Sequence, residues 1–246
     1  MKKLILHIPH ASDKIPMDLG YVVDKETRKQ EVMKLTDWYT DDLFFLEGNV
    51  IVKADFSRIF CDTERFSDDS QEIMAKYGMG VLYEKSDEGA VIREVNAELR
   101  AYILNNYYWP HHEKLKKAVE EQIESNGKAT IVDCHSFPNI PHVRDLSQEK
   151  NRPDFNIGTD PFHTPEYLID ISMDFFKNKG FTVAIDWPYR GSIVPLKYYQ
   201  KSKEVESIML EINRSLYLNE PGNQKSRNYA KVKDIVTEYL KTLKNN

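Results

Sequence analysis

Cysteine is scarce in this chain. Its 246 residues include two, Cys61 and Cys134, too few for a disulfide framework, which points to a reducing, cytoplasmic setting. Both read best as small buried hydrophobes. No apolar run approaches the roughly 18–20 residues a membrane span requires. The opening Met1-Lys-Lys-Leu-Ile-Leu begins like a secretory leader, but His7, Pro9, His10 and Asp13 break the run and no small-residue cleavage site follows. It reads instead as a first strand. Positive charge is not in excess: 39 acidic residues face 34 basic ones, for a net charge of −5. That balance disfavours nucleic acid and anionic membrane as partners. Internal repeats, low-complexity segments and linkers are also missing, so residues 1–246 read as one domain. With 41% hydrophobic residues, 11% of the chain aromatic, such a domain can bury a core of ordinary size.

The pattern along the chain is one of short apolar strands alternating with amphipathic helices. Strands are predicted at 3–8, 49–54, 129–134, 181–185 and 207–213. Helices are predicted at 25–46, across 92–124 with Pro110 as a start or kink, and at 165–178, 199–206 and 228–243. Residues 136–164 lack periodicity and read as one long loop. This alternation predicts an α/β fold, a three-layer α/β/α arrangement around a mixed, largely parallel sheet. In such sheets functional residues collect beyond the carboxyl ends of the strands. His10, the polar 55–69 segment and His135 fall there.

Imidazole nitrogen and carboxylate oxygen are ordinary zinc ligands, and a catalytic zinc leaves one position open for water. His10 and His135 qualify by placement, although a histidine after a strand is more often a plain loop residue. Asp13, three residues after His10, and Asp37, in Thr36-Asp37-Trp38, are rival carboxylate ligands. Chemistry alone leaves both open. Arg58 and Arg65 flank the acidic pair Asp62 and Glu64; guanidinium groups grip carboxylates and stabilise oxyanions, or simply pair with acids at the surface. Glu211 interrupts an apolar run. It is either the solvent side of an amphipathic edge strand or a buried carboxylate with a raised pKa, fit to be a general base. Asp133 could orient His135 or only cap its strand. His111 and His112 are adjacent and would point apart on a helix.

Taken in order, several motifs resemble the N-formylglutamate amidohydrolase family. They are His7-Ile-Pro-His10, Thr36-Asp37-Trp38, Ser57-Arg58 through Arg65, and Tyr108-Trp-Pro-His-His112. Asp133-Cys-His135-Ser136, Arg152-Pro-Asp154-Phe, Trp187-Pro-Tyr189-Arg-Gly191 and Leu210-Glu211-Ile-Asn-Arg214 follow. Together they span nearly the whole chain. The resemblance implies a zinc carboxypeptidase-like fold and one Zn2+ per chain held by His10, His135 and either Asp13 or Asp37. It implies Glu211 as general base and Arg58 beside the polarised carbonyl. On the substrate side it implies Arg65, with Arg144 and Arg152 from the long loop and Tyr189. The implied activity is hydrolysis of the amide bond in a small N-acylated amino acid such as N-formylglutamate. A carboxypeptidase-like peptidase and a non-catalytic binding protein on the same fold are the alternatives.

One position departs from that pattern. Relatives commonly carry Asp-x-Asn-Arg where this chain has Asp62-Thr63-Glu64-Arg65. A glutamate there would repel an anionic substrate unless it turns away or is protonated.

Overall fold

The computed structural model describes residues 3–246. In chain order its elements are β1 (Leu4–Ile8), α1 (Lys25–Leu35), α2 (Thr40–Leu43), β2 (Val50–Lys53), α3 (Ala97–Ile103), α4 (Trp109–Asn126) and β3 (Ala129–Phe137). They continue with β4 (Phe155–Gly158), α5 (Glu166–Asn178), β5 (Val183–Ile185), β6 (Val205–Asn213) and α6 (Tyr229–Asn245). The six strands form one sheet in the order β2-β1-β3-β6-β4-β5. β2, β1, β3 and β6 run parallel, while β4 meets β6 antiparallel and pairs with β5 in parallel. The sheet is therefore mixed and mostly parallel, as predicted.

Strand alternation divides the side chains between two faces. Leu4, Leu6 and Ile8 of β1, Val132 and Cys134 of β3, and Ile208, Leu210 and Ile212 of β6 pack against α5 and α6. Ile5 and Ile131, on the opposite face, pack with Leu115 and Val119 of α4. The same alternation puts His7, Asp133, His135, Met209 and Glu211 on the α4 face. Both cysteines are free and buried. Among the described residues no helix is long and apolar enough to cross a membrane.

Four predicted elements differ from what forms. The helix predicted over 25–46 ends at Leu35: the Thr36 hydroxyl donates to the Val32 carbonyl at 2.7 Å and its ψ of 134° leaves the helical region. The 92–124 region divides as well. Asn96 caps α3 by accepting from the Leu99 amide at 2.8 Å, and the chain widens into a π turn over Leu104–Tyr108 before α4 resumes, with Pro110 in its first turn. The long loop contains β4, four fully buried residues added at the antiparallel side of β6. No helix forms over 199–206. Gln200 takes a φ of 54°, and β6 already begins at Val205.

Candidate metal and substrate site

Three strand ends and one helix end converge on the carboxyl edge of the sheet. β1 delivers His10 just past its end. The break after α1 brings Asp37 alongside, with the Asp37 amide donating to the His10 carbonyl at 2.9 Å. β3 carries His135, and in the parallel register His135 is the direct neighbour of Glu211 on β6. Neighbouring residues in register point to the same side of a sheet, so Glu211 shares a face with His135. It lies on an interior strand, not the amphipathic edge strand considered above.

His10, Asp37 and His135 are all buried and offer ligand atoms within 4.8 Å of one another. His135 Nδ1 lies 3.1 Å from Asp37 Oδ2 and His10 Nδ1 lies 3.8 Å from the same oxygen. His10 Nδ1 is buried without a hydrogen-bond partner, and an orphaned ring nitrogen aimed at a carboxylate suits a cation between them. The outer side of each donor is already claimed. His10 Nε2 donates to Asp62 at 2.8 Å, His135 Nε2 faces Asp133 at 3.1 Å and Glu64 at 3.0 Å, and Arg214 donates to Asp37 Oδ1 at 2.9 Å. Such outer partners fix which nitrogen points inward. The donor set therefore fits a divalent metal. Asp13 is exposed and lines a separate hollow with Lys25 and Arg28.

Electrostatics agree with the geometry. Burial works to raise the Asp37 carboxyl, but His10, His135 and Arg214 outweigh it and hold the group well below its ordinary value. Burial opposes a charged His135, yet Glu64, Asp133 and Asp37 outweigh it and raise its pKa well above normal. The acids around His135 thus favour positive charge at this position. Glu211 is the contrast: burial leads, pushing its carboxyl up to about 8, and its Oε2 has no hydrogen-bond partner.

Sequence reasoning underestimated the support around this cluster. Asp133 Oδ1 accepts from His7 Nδ1 at 2.8 Å as well as from His135, and Asp133 Oδ2 accepts from the Ile193 amide at 3.0 Å. His7 Nε2 meets His111 Nε2 at 2.8 Å, and burial keeps His111 far below its usual pKa and so neutral. The spacing of two between Asp133 and His135 was the available signal for the first contact. Nothing local pointed to the His7–His111 pair, which joins residues 104 positions apart. Glu64 turns onto His135 and His7, one of the two ways its unexpected charge could be accommodated.

Two cavities, an inner and an outer, adjoin at the cluster and share five lining residues. The inner cavity, about 170 Å³, holds His10, Asp37, His135 and Glu211. The outer cavity, about 400 Å³, is walled by Phe66, Ile73, Ile193 and Leu196. Arg58, Glu64, Arg65, Arg190 and Met209 border both. Arg58 donates to Asp62 at 3.0 Å and to the Tyr83 hydroxyl at 3.2 Å. Arg65 makes only long ion pairs, 3.6 Å to Asp62 and 3.7 Å to Glu72. Arg144 and Tyr189 reach the inner cavity. Arg152 borders neither; it donates to Asp145 at 2.7 Å and to the Pro138 carbonyl at 3.0 Å, tying the long loop together.

Fold and donor set together define a class: a mixed-sheet α/β protein with a buried two-histidine, one-aspartate cluster and a free carboxyl beside it. The chain belongs to the N-formylglutamate amidohydrolase family, whose model matches residues 2–218. It is 25% identical over 231 residues to the N-formylglutamate deformylase of Pseudomonas putida, covering 88% of this chain and 82% of that protein. Among solved structures it is similar to the N-formylglutamate amidohydrolase of Ralstonia eutropha JMP134, with a TM-score of 0.86 at 24% identity, covering 100% of this chain and 94% of that one. A gene product of Agrobacterium tumefaciens is similar with a TM-score of 0.70 at 17% identity, covering 99% and 90%. At those identities the two structures speak for the fold alone.

Proposed function

We propose that this protein is a zinc-dependent amidohydrolase that cleaves the amide bond of a small N-acylated amino acid, with N-formylglutamate, the compound named for its relatives, as the first substrate to test. The observation that carries this reading is the unpartnered Glu211 carboxyl next to His135, in the cavity that also holds His10 and Asp37. His10, Asp37 and His135 would hold the zinc, which when bound lowers the pKa of a water and polarises a carbonyl.

The chain's own residues supply the rest. Glu211 Oε2 accepts a proton from the attacking water and passes it to the leaving amine nitrogen. Arg58, fixed by Asp62 and Tyr83, faces the acyl oxygen as charge develops on it. Arg65 grips the amino acid's α-carboxylate where the two cavities adjoin. Asp62, Asp133, Glu64 and Arg214 keep the ligand atoms aimed inward. The products are the free amino acid and the acid of the acyl group.

Formate release from N-formylglutamate by zinc-loaded protein tests this, with Glu211→Gln alongside. Hydrolysis that needs both zinc and Glu211 is expected. A zinc-loaded protein that cleaves no N-acyl amino acid would sink the proposal, and cleavage of dipeptides instead would favour a peptidase on the same fold.

A further inference from the structure

Five arginines line the two cavities: Arg58, Arg65, Arg144, Arg190 and Arg214. Three have fixed acceptors. Arg58 donates to Asp62 at 3.0 Å, Arg144 to the Asp87 carbonyl at 3.1 Å and Arg214 to Asp37 at 2.9 Å. Arg65 makes no side-chain hydrogen bond and its Nε is buried without a partner. Arg190 is exposed, and among the described residues no acceptor meets its guanidinium, although it borders both cavities. Two guanidinium groups with unused donors thus line the same two adjoining cavities.

A free arginine on a slack loop would carry no information, but the backbone on both sides of Arg190 is pinned. Buried Asn156 donates to the Tyr189 carbonyl at 2.8 Å and accepts from the Trp187 amide at 3.0 Å. On the other side, the Ile193 amide donates to Asp133 at 3.0 Å and the Ser192 and Ser207 hydroxyls lie 2.5 Å apart. Gly191 takes a φ of 97°, and its carbonyl approaches β4 so closely that a Cβ on Gly158 would lie 2.5 Å from it. Two acids nearby face other partners, although Glu64 Oε1 is buried without a hydrogen bond, 3.5 Å from His7 Nδ1. Glu64 faces His135 at 3.0 Å, and Asp160, in the outer cavity, accepts from the Phe162 and His163 amides at 2.8 Å.

We infer that Arg190 is a specificity-determining residue that takes a second carboxylate on the substrate, the side-chain carboxylate of an acidic amino acid, while Arg65 takes the α-carboxylate. This rests on the proposed amidohydrolase reading. Two cations with open donors lining the same cavities match two anionic groups on one small molecule, and a neutral side chain would leave one guanidinium without its partner.

The test compares kcat/KM for N-formylglutamate and N-formylglutamine, which differ in side-chain charge but hardly in shape. Wild type should prefer the glutamate compound. In Arg190→Met that preference should fall about 10- to 100-fold, through KM, because one charge-assisted pairing is lost. Arg190→Lys should keep part of it, since a point charge replaces the fork. A preference unchanged in Arg190→Met, or absent in wild type, overturns this inference and leaves the hydrolase reading intact. No cleavage of either compound by the zinc-loaded wild type overturns both.

Discussion

The two halves of the site are built in opposite ways. The metal-facing half sits on strand ends or directly against them: His10 after β1, His135 on β3 and Glu211 beside it on β6. These strands lie within the sheet, where neighbours on both sides fix their backbone. The substrate-facing half comes from irregular chain, with Arg58 and Arg65 before α3 and Arg190 after β5. Those segments are held by polar contacts and small satellite cores such as Phe56, Phe60, Val81 and Leu82. In the proposed reading, chemistry that requires atoms at set distances rests on the ladder, and selection among substrates rests on the loops, where sequence can change at little cost to the core.

Changes on the ladder should therefore do the most damage. Glu211→Gln keeps the shape but removes the base; kcat should fall by about 10²–10⁴-fold with zinc content unchanged. The same residue sets a pH dependence. Its carboxyl, raised to about 8 by burial, is protonated and inactive as a base below its pKa. A bound divalent cation favours the ionised form and lowers that value. Activity should thus rise with pH along a limb whose midpoint lies below 8 and disappear in Glu211→Gln. A rate that falls across this range would count against the assignment.

Arg214→Ala comes next. The Arg214–Asp37 pair is buried on both sides, and removing one partner of such a pair costs about 3–5 kcal/mol. Urea melts of the metal-free variant should show that loss, and a shift under about 1 kcal/mol would mean the pair is not the anchor proposed. Glu64→Gln, at the boundary of the two halves, should be milder. It weakens one of two acceptors on His135 Nε2, so zinc affinity measured by chelator competition should drop by about 10–100-fold. Unchanged affinity there would return Glu64 to the substrate side of the comparison.

How much of this was readable in advance follows the same division. The ladder announces itself locally: apolar runs at 3–8 and 129–134 stop at His10 and His135, and strand alternation ties Asp133 to His135. β4 went unseen because four residues inside a polar stretch carry too little periodicity, and they become a strand only by pairing with β6. Asp37 comes alongside His10 through the break after Leu35, where a single threonine hydroxyl closes the helix. Helical spacing continued past it to Leu46, so periodicity alone ran the helix on. The loop arginines were the least legible. Arg152 and Arg190 both lie in loops outside the strands, yet one is consumed by Asp145 and Pro138 and the other meets no acceptor among the described residues. Only tertiary structure decides which donors stay free.

The central claim is that Asp37, with His10 and His135, holds the metal and Asp13 does not. Zinc content of wild type, Asp37→Ala and Asp13→Ala, purified identically, tests it most directly. About one zinc per chain is expected for wild type and for Asp13→Ala, and close to none for Asp37→Ala, as for a catalytic site with three protein ligands. Full zinc in Asp37→Ala together with its loss in Asp13→Ala would contradict the account.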